Sequence, residues 1–418
     1  MRQWYACLMF IPLFTACAAE ADSKTMLTLD QAIINVLERN PMLKAADYEA
    51  KAAAARIRTA QLKPAFRTSV ELENFGGSGT LSGSDVLEST LSLSKVLELG
   101  DKARLRGDVA RNKAMLLRNE QDAKRLDLLV EVTKRFIQVV ADQERLALAK
   151  HTLELAKTNN QVVQLRVNAG KSANTELRYV GITLAKTQLE LEHAQHVLAA
   201  SRLKLVTLWG DKIADFIEAE ADLFALEPPA TFESLVQLLE RNPDLVRFAT
   251  ERRLASTQFQ LAQSRRKADI EIAGGLRHFN LTDDTGLVVS LDIPLGNRSR
   301  AAAKVDEAAW SSQRNPYDLE QRHLELHATL FEVYQEIQHA IDAVAIYRDT
   351  IIPLSASALK DYEKGYNAGR YSLLELFVAQ RTLIDAKLEA VMAAADYHRY
   401  RSEIDRLTGA GLGIGGNP

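Results

Sequence analysis

Leu37-Glu38-Arg39-Asn40-Pro41 returns, letter for letter, as Leu239-Glu240-Arg241-Asn242-Pro243. A second landmark keeps step: Asn168-Ala169-Gly170 recurs as Asn367-Ala368-Gly369, and Glu-Leu follows each glycine at the same spacing, as Glu176-Leu177 and Glu375-Leu376. Both pairs are offset by about 200 residues, so one architectural unit has been used twice, and such periodicity outranks any local motif as a guide to fold.

Outward from these landmarks, each half carries the same succession: an opening helix, a stretch with period two, and a long helical hairpin. In the first half, Phe66-Arg67-Thr68-Ser69-Val70-Glu71-Leu72-Glu73 alternates apolar and polar residues, Gly76-Gly77-Ser78-Gly79 follows, and alternation resumes through Leu87, Ser89, Leu91 and Leu93. This reads as a β-hairpin, with strands at 66–75 and 86–95. The second copy places strands at 269–279 and 287–294 around a turn near Asn280 to Gly286. Glu71, Glu73, Glu271 and Asp292 fall on the polar side of these strands and are expected to face a lumen.

From Asp101 to Val167 there is no proline and one glycine, Gly107, in a run rich in Ala, Leu, Lys, Glu and Arg. That composition predicts a very long helix, about 100 Å if continuous. Leu126, Leu129, Val130, Val132, Phe136, Ile137, Val139 and Val140 cover about half its circumference, wider than a two-stranded seam, so it packs on two neighbours. Asn-Ala-Gly ends it, because Asn and Gly enter the left-handed region cheaply. The helical hairpins are placed at 101–209 and 300–408. The halves are 22–226 and 227–409, joined at Pro228-Pro229, and 410–418 is a flexible tail.

Four strands of 9–10 residues are long enough to cross a bilayer when tilted, yet four cannot close a barrel. An open sheet in lipid leaves its edges unpaired. The chain must therefore oligomerise, to eight strands or to twelve, and the physics of closure leaves that number open. After residue 21 no run of 18 apolar residues occurs, so no membrane helix is predicted.

Residues 1–21 read as a secretory signal: Arg2, an apolar core from Trp4 to Phe14, then small residues. Phe14-Thr15-Ala16-Cys17 also fits a lipoprotein box, giving the alternative of a 1–16 signal with lipid on Cys17. Only ten residues separate Cys17 from Leu27, a reach of about 35 Å, which argues against the anchor. The only two cysteines, Cys7 and Cys17, lie in this segment, so no disulfide framework is expected. A net charge of −3 without a basic stripe excludes a nucleic-acid partner.

No nucleophile constellation supports an enzyme. His323 and His327, like His193 and His196, are spaced to share a helix face, but neither pair has a third ligand nearby and His323-Leu324-Glu325-Leu326-His327 is not the zinc-protease motif. The Gly-rich strings at 76–79 and 411–416 lack the Lys and Ser or Thr of a phosphate loop. No cofactor and no resident metal are expected.

Taken together, these elements resemble the TolC-type outer-membrane efflux channels over Leu27 to Gly409. The specific matches are Leu29-Asp30-Gln31-Ala32 leading into Asn40-Pro41, and Tyr366-Asn367-Ala368-Gly369 leading through Ser372-Leu373-Leu374-Glu375-Leu376 to Ala379-Gln380. Glu73-Asn74-Phe75-Gly76-Gly77 and Leu97-Glu98-Leu99-Gly100-Asp101-Lys102 resemble the CzcC-type branch, which exports divalent cations.

The resemblance implies a mainly α fold with a membrane β-barrel contribution: a homotrimer with a twelve-stranded barrel in the outer membrane and an α-helical barrel in the periplasm. It implies the exit duct of a tripartite pump, with a periplasmic adaptor and a proton-driven inner-membrane transporter of the RND type as partners. The two Asn-Ala-Gly turns become the adaptor-docking tip, through Asn168, Gly170, Lys171, Ser172, Asn367, Gly369, Arg370 and Ser372. Glu375, and less directly Glu176, become acids of a periplasmic gate, where like charges crowded round an axis attract cations; otherwise Glu375 is an acid favoured in the first turn of a helix. Two alternatives stay in play: a duct of the same family for organic compounds or secreted proteins, and a periplasmic helical scaffold with soluble hairpins.

Overall fold

The computed structural model describes residues 26–410. The signal at 1–21, Cys17 and residues 411–418 of the tail lie outside the described residues. The first half runs α1 (Leu29–Arg39), α2 (Pro41–Gln61), β1 (Phe66–Glu73), β2 (Glu88–Leu97), α3 (Lys102–Asn168) and α4 (Asn174–Val206). The second runs α5 (Phe232–Leu238), α6 (Pro243–Ser264), β3 (Ile270–Phe279), β4 (Asp284–Asp292), α7 (Asn297–Ile346), α8 (Ile352–Asn367) and α9 (Leu373–Thr408).

The repeated pentapeptide proves to be a joint. Where the sequence suggests one opening helix per half there are two, because each string's proline starts a new helix, a position at which its missing N–H costs nothing. Asn40 accepts from the N–H groups of Met42 (2.8 Å) and Leu43 (3.2 Å) and donates its amide to Leu208 O at 2.6 Å. Asn242 likewise accepts from Asp244 N and donates to Leu407 O, both at 2.8 Å. Each buried asparagine thus caps one helix and ties it to the far end of its own hairpin, which is why the string recurs intact.

The four strands form one antiparallel sheet in the order β1-β2-β3-β4, so β2 and β3 join the two halves and β1 and β4 are its edges. The strand limits differ from the sequence reading for local reasons. β1 stops at Glu73 because Asn74 and Gly76 take positive φ, +62° and +79°. β4 begins at Asp284, since the turn closes at Asp283 (φ +57°) and Gly286 already pairs with Arg277.

Register divides the sheet into two faces. Val70, Leu91, Leu276 and Leu287 line up across it, as do Lys95, Ile272 and Leu291. The opposite face carries Glu71, Glu73, Glu88, Thr90, Ser94, Glu271, Arg277 and Asp292. The apolar face is the open one, with Leu91 54% and Leu287 85% exposed, while Thr90 on the polar face is only 4% exposed. A soluble half-buried sheet has the reverse arrangement.

Helix order copies strand order. α2 leads into β1, β2 into α3, α6 into β3 and β4 into α7, and these helices contact one another in the sequence α2, α3, α6, α7. α3 is continuous over 67 residues, as its composition predicts. Of its central apolar residues all but Val130 are buried, against α1, α4 and α9. The counterpart in the second half is not continuous. A five-residue π-helical turn, Tyr347–Ile351, separates α7 from α8, and Pro353, with no N–H to give and a ring that crowds the preceding turn, follows at once. No described helix is long and apolar enough to cross a membrane.

Candidate functional site: the hairpin tips and the lining of the sheet

Both Asn-Ala-Gly turns close the same way. Lys171 N donates to Arg166 O (2.8 Å) and Gly170 N to Val167 O (3.0 Å); Arg370 N donates to Gly365 O (2.8 Å) and Gly369 N to Tyr366 O (3.0 Å). This is the Schellman arrangement, with the glycine at φ +68° in one copy and +72° in the other. Asn168, Gly170 and Lys171 are exposed, as are Asn367, Gly369, Arg370 and Ser372; Ser172 is half-buried.

A small core brings the two turns side by side: Val163 and Val180 from the first hairpin bury against Tyr366, Leu373 and Leu376 of the second. The Arg166 guanidinium lies 4.6 Å from the centre of the Tyr366 ring and donates to Ser172 Oγ at 3.2 Å. Higher up, Asn159 donates to Gln380 Oε1 at 2.9 Å, a second link between the hairpins. Tyr371 packs against Tyr362 with ring centres 4.8 Å apart and planes tilted by 50°, and covers Gly365, where an added Cβ would come within 2.1 Å of its ring. Sequence reasoning missed Arg166, Gly365, Tyr366 and Tyr371. The available signal was Gly365, which stands four residues before its turn glycine where the first copy has Arg166.

The two candidate gate acids sit in unlike settings. Ser372 caps α9: its Oγ accepts from Glu375 N (3.3 Å), while Glu375 Oε2 accepts from Ser372 N (2.7 Å) and Ser372 Oγ (2.8 Å). This capping box holds the Glu375 carboxyl below its ordinary range, first through the Ser372 backbone N–H and then through its hydroxyl. In the first copy Ala173 occupies the cap position and has no hydroxyl. Glu176 Oε2 is buried there without a hydrogen-bond partner among the described residues.

Glu71, Glu73, Glu271 and Asp292 share the polar face with Glu88 and Asp284, against Arg67 and Arg277. Arg277 binds Glu73 (2.7 Å), Glu88 (3.0 Å) and Thr90 Oγ1 (2.8 Å), and Ser94 Oγ donates to Glu271 (2.8 Å). The face therefore carries a net negative charge, with six carboxylates against two arginines.

Below the sheet, the string Leu97 to Lys102 forms a collar whose role the sequence did not reveal. Buried Lys102 donates to Asp269 Oδ1 (2.6 Å) and Lys267 O (2.8 Å), and Leu99 N to the same carboxylate oxygen (3.1 Å). Glu98 pairs with Arg106, whose guanidinium also reaches Leu62 O at 2.8 Å. The collar therefore fixes both hairpins of the sheet to α2 and α3.

His323 lies 3.5 Å from Glu240 and His327 meets the edge of Phe232, ring centres 5.4 Å apart. His193 and His196 are exposed. Among the described residues no group of three or more His, Cys, Asp and Glu side chains is arranged to hold a metal ion.

Comparison with known proteins finds the family described as "Outer membrane efflux protein" matching over residues 32–211 and 234–410. The cobalt-zinc-cadmium resistance protein CzcC of Cupriavidus metallidurans is 24% identical over 321 residues, 77% of either chain. The nickel-cobalt-cadmium resistance protein NccC of Alcaligenes xylosoxydans is 24% identical over 285 residues, 68% of this chain and 63% of its own. Among solved structures, CusC superposes with a TM-score of 0.72 at 18% identity, covering 100% of this chain and 99% of that one.

Proposed function

The chain belongs to the outer membrane efflux protein family, so it is an outer-membrane channel and not an enzyme, and from that premise we propose that it is the exit duct of a proton-driven tripartite pump for divalent heavy-metal cations. The observation that carries the duct is the sheet's polarity, apolar face open and polar face crowded, with β1 and β4 left as free edges. Lipid leaves no unpaired edge tolerable, so copies must pair β4 with the next β1. A homotrimer gives twelve strands and a wet lumen, whereas eight strands fill their interior with side chains.

The helices support the same closure. Trp310, Tyr317, Leu324 and Phe331, seven residues apart on α7, are 69%, 73%, 60% and 51% exposed. A stripe of that size on the helix that follows edge strand β4 fits the flank of a second copy. The soluble-scaffold alternative has no use for either the stripe or the inverted sheet.

The turn residues, exposed Asn168, Gly170 and Lys171 and half-buried Ser172 with exposed Asn367, Gly369, Arg370 and Ser372, form the face offered to a periplasmic adaptor, which in turn joins an inner-membrane transporter of the RND type. Glu176, with no cap to hold it, is the freer of the two gate acids; Glu375 is engaged by Ser372. The cation cargo draws support from two relatives named for metal resistance and from the acidic lining. A passive outlet needs no tight site, because it has to release what it carries.

The test is direct. Outer membranes from cells making the tagged protein should yield, unboiled in detergent, a species of three times the chain mass, and deletion of the gene should sensitise cells to cobalt, zinc, cadmium or nickel. A monomer in the soluble periplasmic fraction would sink the duct; a trimer whose loss changes sensitivity to organic compounds and to no metal would replace the cargo.

A further inference from the structure

One charge interrupts the open apolar face of the sheet. Register places Phe66, Val70, Leu91, Ile272, Leu276 and Leu291 on that face, and among its paired residues Lys95 is the only Lys, Arg, Asp or Glu. Lys95 stands opposite Phe66 at the collar end, with Nζ 4.2 Å from the centre of the Phe66 ring. The ion pairs of the collar go to Lys102, Arg104 and Arg106; Lys95 has none among the described residues. A charge on a lipid-facing strand is costly at the middle of a bilayer and tolerated near its surface. There a lysine lays its aliphatic stem along apolar neighbours and raises its ammonium to the headgroups, and aromatic rings are at home. Lys95 therefore marks the level of one membrane surface.

The same level carries further cations. Lys63 is exposed beside Leu62, whose carbonyl is held by Arg106 of the collar. Arg265, Arg266 and Lys267 are exposed at the end of α6, where Lys267 O receives Lys102. Arg298 and Arg300 are exposed in the first turn of α7, which holds no acid, although the helix dipole favours acids there. None of these six makes an ion pair among the described residues. Between them lie exposed apolar side chains: Leu62 (67%), Phe66 (62%) and Leu295 (83%).

The far rim has the opposite character. Residues 73–88 and 277–286 contain five acids, Glu73, Asp85, Glu88, Asp283 and Asp284, against the single arginine Arg277, which Glu73 and Glu88 already hold. Unpaired positive charge is thus gathered at the rim that faces the stem, mixed with apolar surface, and that is the chemistry of a phospholipid headgroup region.

We propose that this rim binds the anionic phospholipids of the leaflet facing the periplasm. Lys95, steadied by Phe66, takes a headgroup phosphate on the lipid-facing side of the strands. Lys63, Arg298 and Arg300 hold others, since closure of β4 on the next β1 sets these residues of neighbouring copies side by side. The inference rests on the outer-membrane duct for the identity of the leaflet. Each cation close to an anionic membrane surface is worth about fivefold in association, an attraction that salt screens.

The experiment compares two lipids around the whole protein. The purified oligomer is reconstituted in phosphatidylcholine vesicles, and the motionally restricted fraction of spin-labelled phosphatidylglycerol is measured against that of spin-labelled phosphatidylcholine. The wild type should select phosphatidylglycerol at least about threefold at low ionic strength and lose the selection in about 1 M NaCl. Lys95→Gln combined with Arg298→Gln and Arg300→Gln should bring the ratio close to one at unchanged oligomeric mass, while Lys95→Arg should preserve it. Equal association of the two lipids with the wild type, or selection that survives the triple substitution, overturns the proposal. So does selection abolished by millimolar inorganic phosphate, which would mark a site for free anions. If the triple variant fails to assemble, the wild-type ratio and Lys95→Gln alone decide. A protein that never enters the vesicles counts against the duct itself; an inserted oligomer without selection overturns only the rim.

Discussion

At the end of the first hairpin Ala173 stands where the second has Ser372, and from that residue the two tips part company. Their turns share one set of backbone hydrogen bonds and one glycine conformation, a geometry that ends a helix and satisfies its last carbonyls within three residues. The side chains have been free to diverge. The second tip has a capping box, a tyrosine pair and a π-helical turn above it; the first has an uncapped helix, a carboxylate oxygen without a partner among the described residues and an unbroken stem. Duplication preserved what backbone sterics demand and let the side-chain chemistry of the two tips diverge.

The contrast extends to the joints, and the largest expected effect lies there. Met42 follows Asn40-Pro41 and is 44% exposed, whereas its counterpart Asp244 is buried and accepts from Arg322 (2.7 Å) and Arg406 (3.1 Å). Asp244→Ala should destabilise the protein by about 2–3 kcal/mol, because Arg322 and Arg406 lose their shared carboxylate and keep only Glu325 and Asp127, and Met42→Ala by less than about 1 kcal/mol, compared as thermal melts in detergent. Burial pushes the Asp244 carboxyl up, but its hydrogen bonds and charge contacts with Arg322 and Arg406 outweigh this, so its folded value lies below the ordinary one. Its contribution is therefore complete above an unfolded value of about 3.9 and vanishes as pH falls through the lower folded value. The gap between wild type and Asp244→Asn should narrow correspondingly in acid; a gap that widens would contradict the assignment.

Next come the turn glycines. Gly170→Ala and Gly369→Ala each place a Cβ at positive φ and should cost about 1–2 kcal/mol in nearly equal measure. Unequal losses would mean that the backbones are less alike than their bonds suggest. Ser372→Ala should cost about 1 kcal/mol through loss of the cap, and Glu375→Gln, which keeps the hydrogen-bonding shape, should cost less. The smallest change sharpens the comparison most: Ala173→Ser rebuilds the box around Glu176 and should stabilise the first tip by about 0.5–1 kcal/mol, read as a rise in melting temperature.

Much of this fold could be read in the chain because its strongest local rules agree with one another. Proline and glycine spacing predicted the α3–α4 hairpin, period two placed the four strands, and the repeated pentapeptide announced the duplication. The opening helices broke at Pro41 and Pro243, a boundary that the string itself encoded once Asn40 is read as a cap. The π-helical turn was not legible, since one hydrogen bond from Ile352 N–H back five residues to Tyr347 O leaves no mark in composition or periodicity. The collar of Glu98, Lys102, Asp269 and Arg106 escaped because its contacts are distant in sequence: Lys102 and Asp269, 167 residues apart, are joined at 2.6 Å. At the tips the glycines were plain, but the rings of Tyr366 and Tyr371 gain their role from contacts that no local pattern encodes.

The pairing of β2 with β3 has a consequence for how such a molecule comes into being. Leu97 meets Ile270 across that ladder, so the middle of the sheet cannot form until the chain has been made and exported past the whole first hairpin. Contacts of such long sequence separation are slow to find, since a large loop must close before any hydrogen bond rewards it. The helices of the first half, built from near neighbours, can form far sooner. The expected order is therefore the helical stem first and the sheet second, with β1 and β4 left as edges open to a further strand.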